Sequence, residues 1–137
     1  MPITVTAPRG ALTAEGERAI IPELTAALLE STGATGNEFL TSIVGGTLQL
    51  LDPRDVYAAG VNQSLVLVEV KLPAVALSSE ETRAAFVAAA TDVVERLSGP
   101  DHERGQTWVN VVHAAEGGWG LGGRAYTGAD LITAAGG

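Results

Sequence analysis

The feature that most constrains this chain is an internal repeat. Ala11-Leu12-Thr13-Ala14-Glu15-Gly16-Glu17-Arg18-Ala19 matches Ala76-Leu77-Ser78-Ser79-Glu80-Glu81-Thr82-Arg83-Ala84 at five of nine positions, 65 residues apart. Each copy reads as a turn leading into a helix, with a hydroxyl residue at the cap and acids in the first turn, where the helix dipole favours them. The same order of elements recurs around each copy. In the first half, Pro2-Ile3-Thr4-Val5-Thr6-Ala7 reads as a strand and Pro8 to Ala11 as a turn. Thr13 then caps a helix running to about Ser31, with Ile20, Leu24, Ala27 and Leu28 at helical spacing and Ile21 beside them. A second strand is expected over 39–44, then Gly45-Gly46 and an irregular stretch to about Gln63. In the second half, residues 64–72 carry the strongest strand pattern of the chain. Alternation puts Leu65, Leu67, Glu69 and Lys71 on one face and Val66, Val68 and Val70 on the other. Ser78 or Ser79 caps a second helix with apolar rows of Phe86, Ala89, Val93 and Leu97 and of Val87, Ala90 and Val94, ended by Gly99-Pro100. Residues 107–112 make a fourth strand, and a glycine-rich tail follows.

Two strand–helix–strand units predict an α+β fold: a tandem βαβ repeat giving a four-stranded mixed sheet with two helices on one face. The expected domain is a single one over 1–137, with pseudo-repeat halves of about 1–62 and 63–137. Two helices on one side leave the opposite sheet face uncovered, so that face is expected to be buried against other subunits.

Composition narrows the partners. With 46% hydrophobic and 18% charged residues the chain is globular rather than disordered. Sixteen acidic against eight basic residues give a net charge of −8, which disfavours nucleic acid and anionic membrane surfaces. The absence of cysteine removes disulfides and thiolate chemistry. No apolar run approaches the ~18 residues of a membrane span. The first strand has neither the basic start nor the apolar length of a signal peptide, so a cytoplasmic protein is expected.

Pro2 directly follows Met1 and opens the first strand. Removal of Met1 would leave a secondary amine at the strand end. An α-amino group titrates at roughly 7.7–8.0, and apolar burial lowers that value. Such an amine can be a neutral base near neutral pH.

Pro2 opening a strand, the two βαβ halves and the tail Glu116-Gly-Gly-Trp119-Gly-Leu121-Gly-Gly-Arg124-Ala-Tyr126-Thr-Gly128-Ala-Asp130-Leu131 together resemble the tautomerase superfamily. The likeness is to its fused-repeat members: macrophage migration inhibitory factor, malonate semialdehyde decarboxylase and cis-3-chloroacrylic acid dehalogenase. The tail looks most like the decarboxylase branch, and Thr6-Ala7-Pro8-Arg9 like the inhibitory-factor branch. The resemblance implies a homotrimeric, cofactor-free enzyme acting on a small carboxylic acid, with Pro2 as general base in an enol–keto tautomerisation. The alternatives it carries are a decarboxylase, dehalogenase or hydratase of three-carbon acids, or a non-catalytic trimeric module.

The resemblance also suggests binding residues. Lys71, the only lysine, stands near the strand end where decarboxylases and dehalogenases carry paired arginines for the substrate carboxylate. One ammonium cannot hold a carboxylate bidentately, a departure that weighs against those reactions. Trp108 and Asn110 share a face of the fourth strand, where the inhibitory-factor branch places a tyrosine and an asparagine. Trp119, with Leu121 and Tyr126, matches hydrophobic pocket walls, and Arg124 is the nearest spare cation. Asn37 sits about where the decarboxylase carries an aspartate, with Glu38 beside it. Gly118-Trp-Gly120-Leu-Gly122-Gly123 fits a dinucleotide fingerprint by spacing alone, with no helix expected after it. His102 and His113, isolated from acids, do not form a metal motif.

Overall fold

The computed structural model describes residues 1–136. Its centre is a four-stranded mixed sheet in the order β2-β1-β5-β6. Strand β1 (Pro2–Pro8) runs parallel to β2 (Gly45–Leu51) and antiparallel to β5 (Val66–Leu72), which runs parallel to β6 (Thr107–His113). Helix α1 (Ala14–Ser31) joins the first parallel pair and α3 (Glu80–Leu97) the second. Among the described residues, no helix is long and apolar enough to cross a membrane.

The register makes the repeat a geometric fact. In the β1–β5 ladder Ile3 faces Val70 and Val5 faces Val68, while Thr4 faces Glu69. A shift of 65 residues exchanges the first two pairs and returns Thr4–Glu69 to itself. The halves are therefore related by a pseudo-twofold through that pair.

Alternation decides the two faces of the sheet. Ile3, Val5, Ala7, Val66, Val68, Val70 and Leu72 are buried beneath α1 and α3. Ile20, Leu24 and Leu28 of α1 and Phe86, Ala90 and Val94 of α3 meet them. The helices touch closely where they cross: a Cβ on Gly16 would lie 2.2 Å from the Leu97 carbonyl oxygen. Thr13 caps α1, its Oγ1 accepting from Gly16 N at 2.9 Å, and its own backbone N–H donates to that same Leu97 oxygen at 3.0 Å. Ser79, rather than Ser78, caps α3. The extra residue relative to the first half is absorbed near Leu77, which takes a left-handed φ of 51°.

Three stretches depart from the sequence reading. The apolar run expected as the second strand is instead the short helix α2 (Glu38–Ser42), capped by Asn37. The strand follows it, through Gly45-Gly46 and the inward-leaning Leu48 and Leu50. Gly46 lets α1 close on β2, since a Cβ there would sit 2.5 Å from Ile21 Cγ2. The stretch before β5 holds a small hairpin of β3 (Tyr57–Ala58) and β4 (Val61–Asn62). The tail is ordered as a second hairpin, β7 (Trp119–Leu121) with β8 (Arg124–Tyr126), followed by helix α4 (Gly128–Gly136). Gly122 and Gly123 take positive φ at the hairpin turn, so the fingerprint-like glycines serve a β-turn and not a phosphate loop.

Candidate active site

The open face of the sheet presents its side chains in rows. Pro2 has Gly45 on one side, and the continued β1–β5 register places Lys71 on the other, with Val112 beyond it. The next row is Thr47, Thr4, Glu69 and Asn110. The third is Gln49, Thr6, Leu67 and Trp108. Pro2 and Lys71 thus stand at one end of neighbouring strands, about 5 Å apart along the hydrogen-bonding direction. Lys71 Nζ lies 3.4 Å from Glu69 Oε1, an exposed ion pair along the same face. Asn110 and Trp108 lie further from Pro2, one and two rows down and two strands across. Trp108 is half exposed, with its indole N–H donating to Gly105 O at 3.3 Å.

Behind the start of β1, on the helix side, lies a cavity of about 220 Å³. Met1 forms part of its floor, with Leu40 and Ile43 from the α2 region, Val75 from the turn after β5, and Leu131 and Ile132 from α4. The lining is overwhelmingly aliphatic. Met1 is 5% exposed, and its amine donates to the Ile43 carbonyl oxygen. Desolvation pulls that amine from its ordinary 8.0 down to about 6. Burial thus favours the neutral form of the Met1 amine.

Asn37 holds the wall of this cavity. Its Oδ1 accepts from Leu40 N at 2.9 Å and its Nδ2 donates to Ala135 O at 2.8 Å, tying α2 to α4. Glu116 Oε1 accepts from Gly128 N and fixes the other end of α4. Gly128 has no room for a side chain, because a Cβ would meet Val75 Cγ1 at 2.4 Å.

The tail residues form a separate cluster within the protomer. Trp119 is buried and meets Tyr126 edge to face at 5.8 Å. Arg124 stacks over the Tyr126 ring at 4.6 Å and donates to Asp130 Oδ1 at 3.2 Å. Its guanidinium is engaged inside the tail. The two histidines lie apart: His102 Nε2 is 2.8 Å from Thr107 Oγ1, and His113 Nε2 is 2.7 Å from Ala76 O. Among the described residues no three His, Cys, Asp or Glu side chains gather as metal ligands.

The sequence reading singled out Pro2 and Lys71 and missed the cavity behind them. Met1, Ile43, Val75 and Ile132 carry no chemical signature in the sequence. Two of the walls belong to α2 and α4, the helices the apolar pattern did not reveal.

No protein-family model and no curated protein matches the chain. Solved structures match it along most of its length. One is a wild-type fused 4-OT, a symmetric trimer, at a TM-score of 0.78 and 23% identity, covering 96% of this chain and 98% of that one. A macrophage migration inhibitory factor from Toxoplasma gondii matches at a TM-score of 0.72 and 14% identity, over 92% of this chain and 100% of the other. A malonate semialdehyde decarboxylase inhibited by 3-bromopropiolate matches at 0.69 and 21%, over 98% and 96%. At these identities the likeness establishes the architecture: a tautomerase-like β-α-β fold.

Proposed function

We propose that this chain is a tautomerase-superfamily enzyme that interconverts the enol and keto forms of a small 2-oxo or 2-hydroxy-enoic acid, without a cofactor. The observation that carries this reading is the position of Pro2, which opens β1 in the same row as Lys71 and follows a Met1 that fills part of an aliphatic cavity. With Met1 removed, the free amine is that of Pro2, one residue along the same strand end, and the space Met1 fills opens to substrate.

The neutral Pro2 nitrogen takes the enol hydroxyl proton. The O–H electron pair becomes the carbonyl π bond as the C=C pair shifts towards the distal carbon, and the protonated amine delivers its proton there. The amine ends as it began. Lys71, in the same row as Pro2, attracts the substrate carboxylate once it is released from Glu69. The aliphatic walls exclude water and keep the amine neutral.

The assembly proposed with this reading is a homotrimer, as the fused 4-OT neighbour is. Three open sheet faces turned inward would bury Leu67, Trp108 and Val112, which the isolated protomer leaves partly or largely exposed. Trp108 and Asn110, remote from their own Pro2, would then reach the neighbouring protomer's pocket, as an apolar wall and a hydrogen-bond donor to the substrate carbonyl. Trp119 and Arg124 shape the tail that carries α4 onto the cavity. Asn37 acts there by positioning, since both ends of its amide are bonded within the protomer.

The lyase and hydrolytic alternatives need a protonated Pro2 and a stronger carboxylate clamp. The engagement of Arg124 by Asp130 leaves no such clamp in the tail and favours tautomerisation over them. The test is ketonisation of phenylenolpyruvate or 2-hydroxymuconate by wild type and Pro2→Ala, after mass measurement shows Met1 gone. Turnover by wild type and its loss in Pro2→Ala supports the reading. No turnover of either enol by an intact trimer would sink it.

A further inference from the structure

The pseudo-twofold that relates the halves also relates two hollows. A shift of 65 residues carries Pro8, Gly10 and Ala11 onto Pro73, Val75 and Ala76. The latter three line the aliphatic cavity at the start of β1, and the former three line a hollow of about 350 Å³ at the opposite end of the sheet. The end of the preceding helix joins each one, through Thr32 after α1 and Gly99 after α3.

The chemistry has diverged. The shift carries Met1 onto Val66, which sits in mid-chain, so excision can free no amine there. Polar side chains join proline, glycine and alanine in the wall of the second hollow. Arg9, Ser64 and Gln106 are among its lining residues, and among the described residues no hydrogen bond or ion pair engages the Arg9 guanidinium, the Ser64 hydroxyl or the Gln106 Nε2; the Asp52 carboxylate, held low first by Arg54, also feels the Arg9 charge. Gln106 is held in place by its Oε1, which accepts from Glu103 N at 2.7 Å, leaving the amide donors free. Asp101, also on the lining, supplies the one carboxylate acceptor.

We infer that this second hollow is a non-catalytic binding site for a small hydroxy-carboxylate. Arg9 takes the carboxylate through its forked donors, Ser64 and Gln106 complete its hydrogen bonds, and Asp101 accepts from the ligand hydroxyl. The site is independent of the proposed tautomerase activity and stands or falls without it.

The two histidines make the test selective. His102 lines the second hollow, whereas His113 is bonded to Ala76 O on the wall of the first. Glycolate is titrated into the full chain while the imidazole resonances of both residues are followed by NMR. The expected result is a saturable shift of His102 with a dissociation constant on the order of 1–10 mM, lost in Arg9→Ala, weakened in Arg9→Lys, whose ammonium cannot make the forked contact, and weaker for acetate, which lacks the hydroxyl. Enol turnover and the His113 resonance in Arg9→Ala stay as in wild type, which separates this result from any failure of the first site. A His102 shift that does not saturate, that persists in Arg9→Ala, or that acetate produces as tightly would overturn the inference.

Discussion

The two ends of the β1–β5 ladder began from one pattern and now do different things. At the Pro2 end the chain offers a terminus, aliphatic walls and a single cation, Lys71, already paired with Glu69. At the other end the chain runs on through Leu65, and unpaired donors line the hollow. The same backbone geometry supports both. The difference lies in whether an amine can be released and in the side chains around it, from which we propose proton transfer at the Pro2 end and anion binding at the other. The fold supplies two equivalent positions, and local side chains decide which one carries the chemistry.

The largest effect expected of a single change is at Pro2. Pro2→Ala leaves a primary amine whose geometry and basicity differ, and enol turnover should fall by roughly 10²- to 10⁴-fold, measured as kcat/KM with the trimer intact. A smaller fall would mean that the end of β1 owes its reactivity to something other than this nitrogen.

Next in size is a change that bears on the join between the halves and spares either pocket. Gly16→Ala drives a methyl into the Leu97 carbonyl, a backbone atom that cannot swing aside. A loss of about 1–3 kcal/mol is expected, the usual range for overpacking, read as a lower denaturant midpoint. If stability is unchanged, α1 and α3 are not locked together at this crossing.

A smaller effect should follow from freeing Lys71. Exposed ion pairs contribute about 1 kcal/mol or less, so Glu69→Gln should lower KM for a carboxylate substrate by up to about fivefold with kcat unchanged. An increase in KM would show that Glu69 helps substrate binding, not that it competes for the lysine.

The smallest effect is a pH trend in chain that still carries Met1. Its amine is lowered to about 6 in the folded state from 8.0. The unfolded chain therefore binds more protons between those values, and stability rises with pH across that window. Thermal midpoints of the Met1-retaining form should climb from pH 6 to pH 8 relative to the same chain with its amine acetylated. A flat difference would mean that the strand end does not desolvate the amine.

Much of the scaffold was legible because period and capping agreed. β1, β5 and β6 alternate, α1 and α3 carry apolar stripes behind Thr13 and Ser79, and the repeat announced the symmetric sheet. The failures have physical reasons. Phe39-Leu40-Thr41-Ser42-Ile43-Val44 is a short apolar run that suits strand or helix, and only the Asn37 cap before it favours the helix. Two glycines and exposed polar residues hid β2. α4 is amphipathic but only nine residues long and lies in a glycine-rich tail, and Thr127-Gly128-Ala129-Asp130 is a capping sequence: Thr127 Oγ1 accepts from Asp130 N at 3.1 Å, and Thr127 N donates to Asp130 Oδ2 at 2.9 Å. Its position then depends on Asn37 and Glu116, contacts 98 and 12 residues away in sequence. Pro2 and Lys71 were visible as chemistry. The cavity was not, because its walls are ordinary aliphatic residues brought together only by the fold.

The most direct test of the central claim is the titration of the Pro2 amine in the processed protein, followed by ¹⁵N NMR of proline-labelled chain. The account predicts an apparent pKa clearly below the roughly 7.7–8.0 of an ordinary terminus, so that the amine is largely neutral at physiological pH. A value above that range would leave Pro2 protonated and contradict its role as the base.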